Sequence, residues 1–165
     1  MPFSRGTPVS DAYGVRVSDD PVLAGLRALI DEHGWAVRHV GAGTKPGEAV
    51  FSYTIGLTAF GHPEAIVTGL PFEHAQIFLN NIGFGVRGGK RFRPGDTTED
   101  FTEPGEPVAF LAVEDTSGLT AVVEVYGSVT ALQMVWPDSA GHLPWEEGYA
   151  NTAEAQPLLG PAPAA

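Results

Sequence analysis

The stretch Ala49-Val-Phe-Ser-Tyr-Thr-Ile-Gly-Leu57 alternates along its whole length. Val50, Ser52, Thr54 and Gly56 fall on one side of an extended chain, and Phe51, Tyr53, Ile55 and Leu57 on the other. That two-residue period predicts a strand with unlike faces. Upstream, Trp35-Ala-Val-Arg-His-Val40 predicts another strand, and the loop Gly41-Ala-Gly-Thr-Lys-Pro-Gly47 makes the two a hairpin. Downstream, Thr58-Ala-Phe-Gly-His-Pro63 predicts a turn and Glu64-Ala-Ile-Val-Thr-Gly-Leu70 a third strand.

Helical periods flank this unit. Behind Asp19-Asp20-Pro21, the residues Val22, Leu23, Leu26, Leu29 and Ile30 recur at helical spacing, and Gly34 supplies a stop after His33. Pro71 opens a second helix with Phe72, Ala75, Phe78 and Leu79 on one face; Asn80-Asn81-Ile-Gly83 is expected to end it. Gly88–Phe92 predicts a short strand, residues 96–106 an acidic loop, and Pro107–Glu114 and Ala131–Trp136 two further strands. Leu119, Val122, Val123 and Tyr126 fit a helix capped by Thr116 or Ser117, with a strand as the alternative. The expectation is an α+β fold: a single domain at residues 19–149, with a mainly antiparallel sheet of five or six strands and two or three helices packed on it. An N-terminal arm, residues 1–18, with a short strand at Tyr13–Val17, precedes it, and a tail, residues 150–165, with a frayed end, follows.

Composition narrows the function classes. A chain of 165 residues suits one domain and can bury a core without staples. It has no Cys, which excludes a disulfide scaffold, cysteine-based zinc and iron–sulfur sites and a thiol nucleophile. No apolar run is long enough for a membrane helix, and the opening Met-Pro-Phe-Ser-Arg has no apolar signal core, so a cytoplasmic location without membrane association is expected. All nine Lys and Arg lie in residues 1–93, whereas residues 94–165 carry twelve acidic side chains and no cation. Such a half repels phosphate backbones, so nucleic acid is not expected as a partner. The basic cluster Arg87, Lys90, Arg91 and Arg93 either binds an anion or forms a solvated rim.

Several motif matches fail on context. Gly83-Phe-Gly-Val-Arg-Gly88 has G-x-G-x-x-G spacing, but it follows a predicted helix rather than a strand and reads as a helix stop plus loop. Gly89-Lys90-Arg91 lacks the Ser or Thr of a P-loop, and His62-Pro-Glu64 lacks the Cys pair of a zinc deaminase. These motifs imply no metal and no cofactor.

Three segments carry candidate chemistry. His62 and Glu64 flank a turn at a spacing that lets an imidazole and a carboxylate act as an acid–base pair; the plainer reading is that His62 shapes the turn and Glu64 is solvated. His74, in the first turn of the second helix, is able to join His62 if helix and turn meet, and is otherwise a helix-surface histidine. The loop from Trp136 through Asp138, His142 and Trp145 to Glu146 has two indoles that can enclose a planar ligand; alternatively they cap the core while Asp138 makes an Asx turn. His62, Glu64 and Asp138 are thus the catalytic candidates, and Tyr53, His74, Trp136, Trp145 and Glu146 the substrate-binding ones.

Taken together, Tyr53-Thr-Ile-Gly-Leu57, Gly61-His-Pro-Glu64, Leu79-Asn80, Pro94-Gly95, Trp136-Pro-Asp138, Pro144-Trp-Glu146 and Gln156-Pro-Leu-Leu159 resemble the bacterial family numbered 4262 among the domains of unknown function. The resemblance spans roughly residues 30–160. It implies a small protein without an assigned activity and a helix at 119–127, and it points to His62, Pro63, Glu64, Asn80, Trp136, Pro137, Asp138, Trp145 and Glu146; His142 falls outside its pattern. In layout, a hairpin followed by an apolar strand and a helix is also similar to flavin-binding split barrels. There FMN would need Thr54, Arg87, Lys90, Arg91 and Arg93 for its phosphate.

The function expected from these readings is small-molecule binding, or acid–base catalysis without redox chemistry, in a pocket between the His62–Glu64 turn and the Trp136–Glu146 loop. The alternatives are an acidic binding or regulatory module facing a basic protein partner, and the flavin protein. Substrate, reaction and oligomeric state are not legible.

Overall fold

The computed structural model of the chain describes residues 21–44, 47–102 and 105–163. The arm at 1–18, its strand at Tyr13–Val17 and the Asp19-Asp20 cap lie outside the described residues. Among the described residues the order is α1 (Pro21–His33), β1 (Ala36–Val40), β2 (Phe51–Ile55), β3 (Glu64–Thr68), α2 (Phe72–Arg87), β4 (Thr97–Thr98), β5 (Val108–Ala112), α3 (Thr120–Tyr126) and β6 (Ala131–Val135). The strands form one open sheet in the order β1-β2-β3-β6-β5-β4. Only β3 and β6 run parallel; the other neighbours are antiparallel, so the domain is α+β with a mixed, mostly antiparallel sheet. No helix among the described residues is long and apolar enough to cross a membrane.

Helices cover both faces, because the alternation read along Phe51–Ile55 is real; it breaks at Gly56, whose φ is 138°, so Leu57, expected on the side of Ile55, packs on the opposite face. Phe51, Tyr53 and Ile55 join Leu23 and Leu26 of α1 and Leu119, Ala121 and Val122 around α3. On the opposite face Trp35, Leu57, Ala65, Val67, Leu132 and Met134 pack with Leu79, Ile82 and Val86 of α2. A smaller cluster, Ala109, Leu111, Val135 and Leu143, lies under the loops that follow β6.

The structure departs from the sequence reading at four further places. First, α2 does not end at Asn80–Gly83 but runs to Arg87. Gly83 is helical for a packing reason: a Cβ there would lie 2.3 Å from Cε2 of Trp35. Gly83–Gly88 is therefore mostly helix, and only Gly88 marks its end. Second, Gly88–Phe92 is not a strand, because the Phe92 N–H is taken by the His62 ring rather than by a neighbouring strand. Third, the acidic loop contributes β4, whose Thr97 and Thr98 pair with Ala109 and Val108. Fourth, Thr116 and Ser117 do not cap α3 with their side chains: Ser117 turns back to Asp115, and the Ala121 N–H is taken by the buried phenol oxygen of Tyr53 at 3.2 Å.

The segment after β6 is tied to the sheet. Gln133 in mid-strand donates to the Pro157 carbonyl at 2.9 Å and accepts from the Leu159 N–H at 2.8 Å. Thr68 also donates to the Pro157 carbonyl, at 2.8 Å.

Candidate functional site

The residues expected to react are held by the fold itself. Glu64 is fully buried and accepts five hydrogen bonds. Thr54 Oγ1 and the Leu57 N–H reach Oε1; the Gly56 and Thr58 N–H groups and Thr58 Oγ1 reach Oε2, at 2.6–3.0 Å. These donors come from the end of β2, Gly56 and the turn Leu57–Phe60, so the carboxylate at the start of β3 folds the preceding loop around itself. His62 is equally committed. Its Nδ1–H donates to the Pro63 carbonyl at 2.8 Å, and Nε2 accepts the Phe92 N–H at 3.0 Å. Burial lowers its pKa below the ordinary histidine value, only partly offset by the bond to the Pro63 carbonyl. Neither ring nitrogen is left for a substrate.

The Trp loop stands at the other end of the sheet. Parallel pairing sets Glu64 level with Ala131, so Trp136 comes level with Gly69 at the far end of β3. Along a strand the distance from the level of His62 to that of Trp136 is roughly 20 Å. The structure therefore does not bring these two turns around one pocket. Trp136 donates its indole N–H to the Thr68 carbonyl at 2.8 Å, and its backbone exchanges two bonds with the Gln156 amide. Asp138 makes the Asx turn: Oδ1 accepts from the Ala140 and His142 N–H groups, and Oδ2 from that of Ala150. These backbone donors, His142 foremost, hold its pKa below the ordinary carboxylate value. His142 Nδ1 lies 3.7 Å from the same carboxylate. Glu146 accepts the Leu143 N–H, and Trp145 packs beside Leu143. A cavity of about 420 Å³ borders this loop, but its walls are Pro144, Tyr149, Asn151, Gln156, Leu158 and their neighbours, not the indoles.

Of the remaining candidates, Tyr53 is fully buried and serves α3, and His74 is exposed in the first turn of α2. Nearly the whole of α2, about 20 Å of helix, separates His74 from the turn of His62. Thr54 is buried against Glu64, Arg87 belongs to α2, and Lys90, Arg91 and Arg93 follow it in a loop. Among the described residues no group of three or more His, Asp or Glu is placed to hold a metal ion.

A different concavity is built by three rigid elements. A groove of about 330 Å³ runs between the end of α1, the start of β1 and one face of α2. Trp35 lies against Gly83 and forms part of its wall. Leu29, Val37 and Phe84 supply apolar walls, and His33, Gln76, Asn80 and Arg87 the polar ones. The Arg87 guanidinium lies over the Trp35 ring at 5.2 Å and the Phe84 ring at 5.3 Å, and donates to the His33 carbonyl at 3.1 Å.

Behind this wall runs a chain of side-chain hydrogen bonds whose polarity is set at one end. An indole N–H can only donate, so Trp35 Nε1–H, at 3.0 Å, fixes the oxygen of Asn80 as its partner. Gln76 Nε2 donates to the same oxygen at 3.4 Å, which turns Gln76 Oε1 toward His39 Nε2, 3.0 Å away. An amide oxygen only accepts, so His39 Nε2 carries a proton. In that tautomer Nδ1 accepts from the buried Ser52 hydroxyl at 2.6 Å. The ring also stacks on Phe72, with centroids 4.7 Å apart.

The model of a family described as a domain of unknown function (DUF4262) matches residues 29–150, most of the chain. The chain belongs to that family. No curated protein and no solved structure matches the chain. The DUF4262 match includes every residue of the Trp35 groove, from Leu29 to Arg87, as well as the Trp136–Glu146 loop. Sequence reading missed Trp35, Gln76, His39 and Ser52 as parts of a site. One signal was present: Gln76, Asn80, Phe84 and Arg87 follow one another at spacings of four, four and three, a single stripe of helix beside the buried one.

Proposed function

We propose that this DUF4262 protein binds a small molecule in the groove between α1, β1 and α2. The observation that carries the reading is the Trp35 wall: an indole locked in place by Gly83 and Asn80, with an Arg cation over its ring. A concave, mostly apolar surface with a few convergent polar groups is what ligand sites are made of. Preorganisation supports it further, since the relay to Ser52 holds Gln76 and Asn80 before any ligand arrives. The reading favours binding over acid–base catalysis, because His62, Glu64 and Asp138 spend their polar atoms on backbone.

The experiment is an NMR screen of the ¹⁵N-labelled protein against mixtures of small metabolites, following the three indole N–H signals. Compounds that bind are expected to move the Trp35 signal and leave that of Trp136, which lies outside the groove. Binders that shift the Trp136 and Trp145 loop and spare Trp35 would overturn the assignment.

A further inference from the structure

We propose that the ligand of this groove is a small carboxylate carried on a flat apolar body; this rests on the groove reading and adds the chemical class. On Asn80 and Arg87 the polar atoms left over toward the groove are donors. Asn80 spends its oxygen on Trp35 and Gln76, and its Nδ2 donates to no group among the described residues. Gln76 spends its oxygen on His39. Arg87 donates one N–H to the His33 carbonyl and keeps the rest of its fork. A ligand that satisfies Asn80 and Arg87 must bring acceptors.

Charge points the same way. The chain has a formal net charge of −11, so its few cations have many carboxylates to choose from. Yet among the described residues the ion pairs are Glu32–His33, Lys90–Asp100 and Asp138–His142, so Arg87, like Arg27, Arg38, Arg91 and Arg93, is in none of them. No Asp or Glu lines the groove. Arg87 is held instead beside two aromatic rings, its Cζ 5.2 and 5.3 Å from their centroids, and with one N–H on the His33 carbonyl it keeps donors for a bidentate acceptor. One full positive charge and one amide match two oxygens that share a single negative charge. The exposed Leu29 and Phe84 at the rim, with the indole of Trp35, take the apolar body.

The test uses phenylacetate and phenylacetamide, which share a ring and differ in charge and in a donor. Titration of the full chain, read at the Trp35 indole N–H, is expected to show phenylacetate binding about tenfold more tightly than the amide. Arg87→Gln should erase that difference. Asn80→Asp keeps the oxygen that Trp35 and Gln76 need while adding a negative charge, and should abolish phenylacetate binding with the indole signal still in its folded position. Equal binding of the two probes, or a preference that survives both substitutions, would overturn the carboxylate assignment and leave the groove standing. If neither probe moves Trp35 while other ligands shift a different surface, the groove reading falls and takes this proposal with it.

Discussion

The indole of Trp35 occupies the space where Gly83 has no side chain, so that a methyl group at position 83 would meet Cε2 at 2.3 Å and Cζ2 at 2.6 Å. Gly83→Ala is therefore expected to destabilise the protein by about 1–3 kcal/mol, although Ala is the better helix former. Gly25→Ala is the control. Gly25 lies inside α1 with nothing within 4 Å of the new methyl, and should raise stability by about 0.5–1 kcal/mol. Thermal melts of the two variants check this; a stabilised Gly83→Ala would show that Trp35 is not pinned.

Glu64 is expected to be a folding residue rather than a reactive one. Its removal strands the N–H groups of Gly56, Leu57 and Thr58 and the hydroxyl of Thr54. Glu64→Ala should cost about 3 kcal/mol or more. Glu64→Gln should also destabilise, because an amide NH₂ would face donors. Urea unfolding measures both, and a Glu64→Ala protein as stable as the parent would contradict the role.

The pH dependence of stability should carry the mark of His62. Its folded pKa lies below the ordinary histidine value of 6.5 because burial disfavours the charged ring. The unfolded chain then binds the proton more readily, so stability is fully present above about pH 6.5 and declines as pH falls from there toward the folded pKa. Protonation would also set a second N–H against that of Phe92. His62→Ala is expected to be less stable at neutral pH and to lose this slope, as read from melting temperatures between pH 7.5 and 5.

Asp138 should act in the acid limb. Its folded pKa is lowered by the N–H groups of His142, Ala150 and Ala140, so its contribution is present above the ordinary carboxylate pKa and is lost as pH falls through the lowered value. Asp138→Asn is expected to flatten the acid unfolding curve and to loosen residues 138–150, which hydrogen exchange of the Ala150 amide will report.

The segment after residue 150 is expected to be required for stability. Deleting residues 151–165 removes the partners of Gln133, which bonds Pro157 and Leu159 from within the sheet. It also removes Gln156 from the Trp136 backbone. Loss of about 3 kcal/mol or more is expected, seen as a lowered urea midpoint.

Local pattern was enough to draw most of the architecture. The alternation in Phe51–Ile55, the helical period in Pro21–His33 and the Gly-rich loop before β2 are constraints that each segment imposes on itself, so the hairpin, the helices and the mostly antiparallel sheet were legible. The extent of α2 was not, since the reason for a helical Gly83 is an indole 48 positions earlier in the chain. Nor was the backbone at Phe92, whose N–H found an imidazole instead of a strand. The same holds for the site. His62, Glu64 and Asp138 were visible as reactive types, but which polar atoms remain free depends on the neighbours folding supplies, and folding consumed theirs. Trp35 looks ordinary in one dimension, and Asn80 and Arg87 stand out there only as part of a family pattern and of a basic cluster. Only the packing of β1 against α2 joined them, because a hydrogen bond or a stacked cation is decided by distances of a few ångströms between groups that sequence holds far apart.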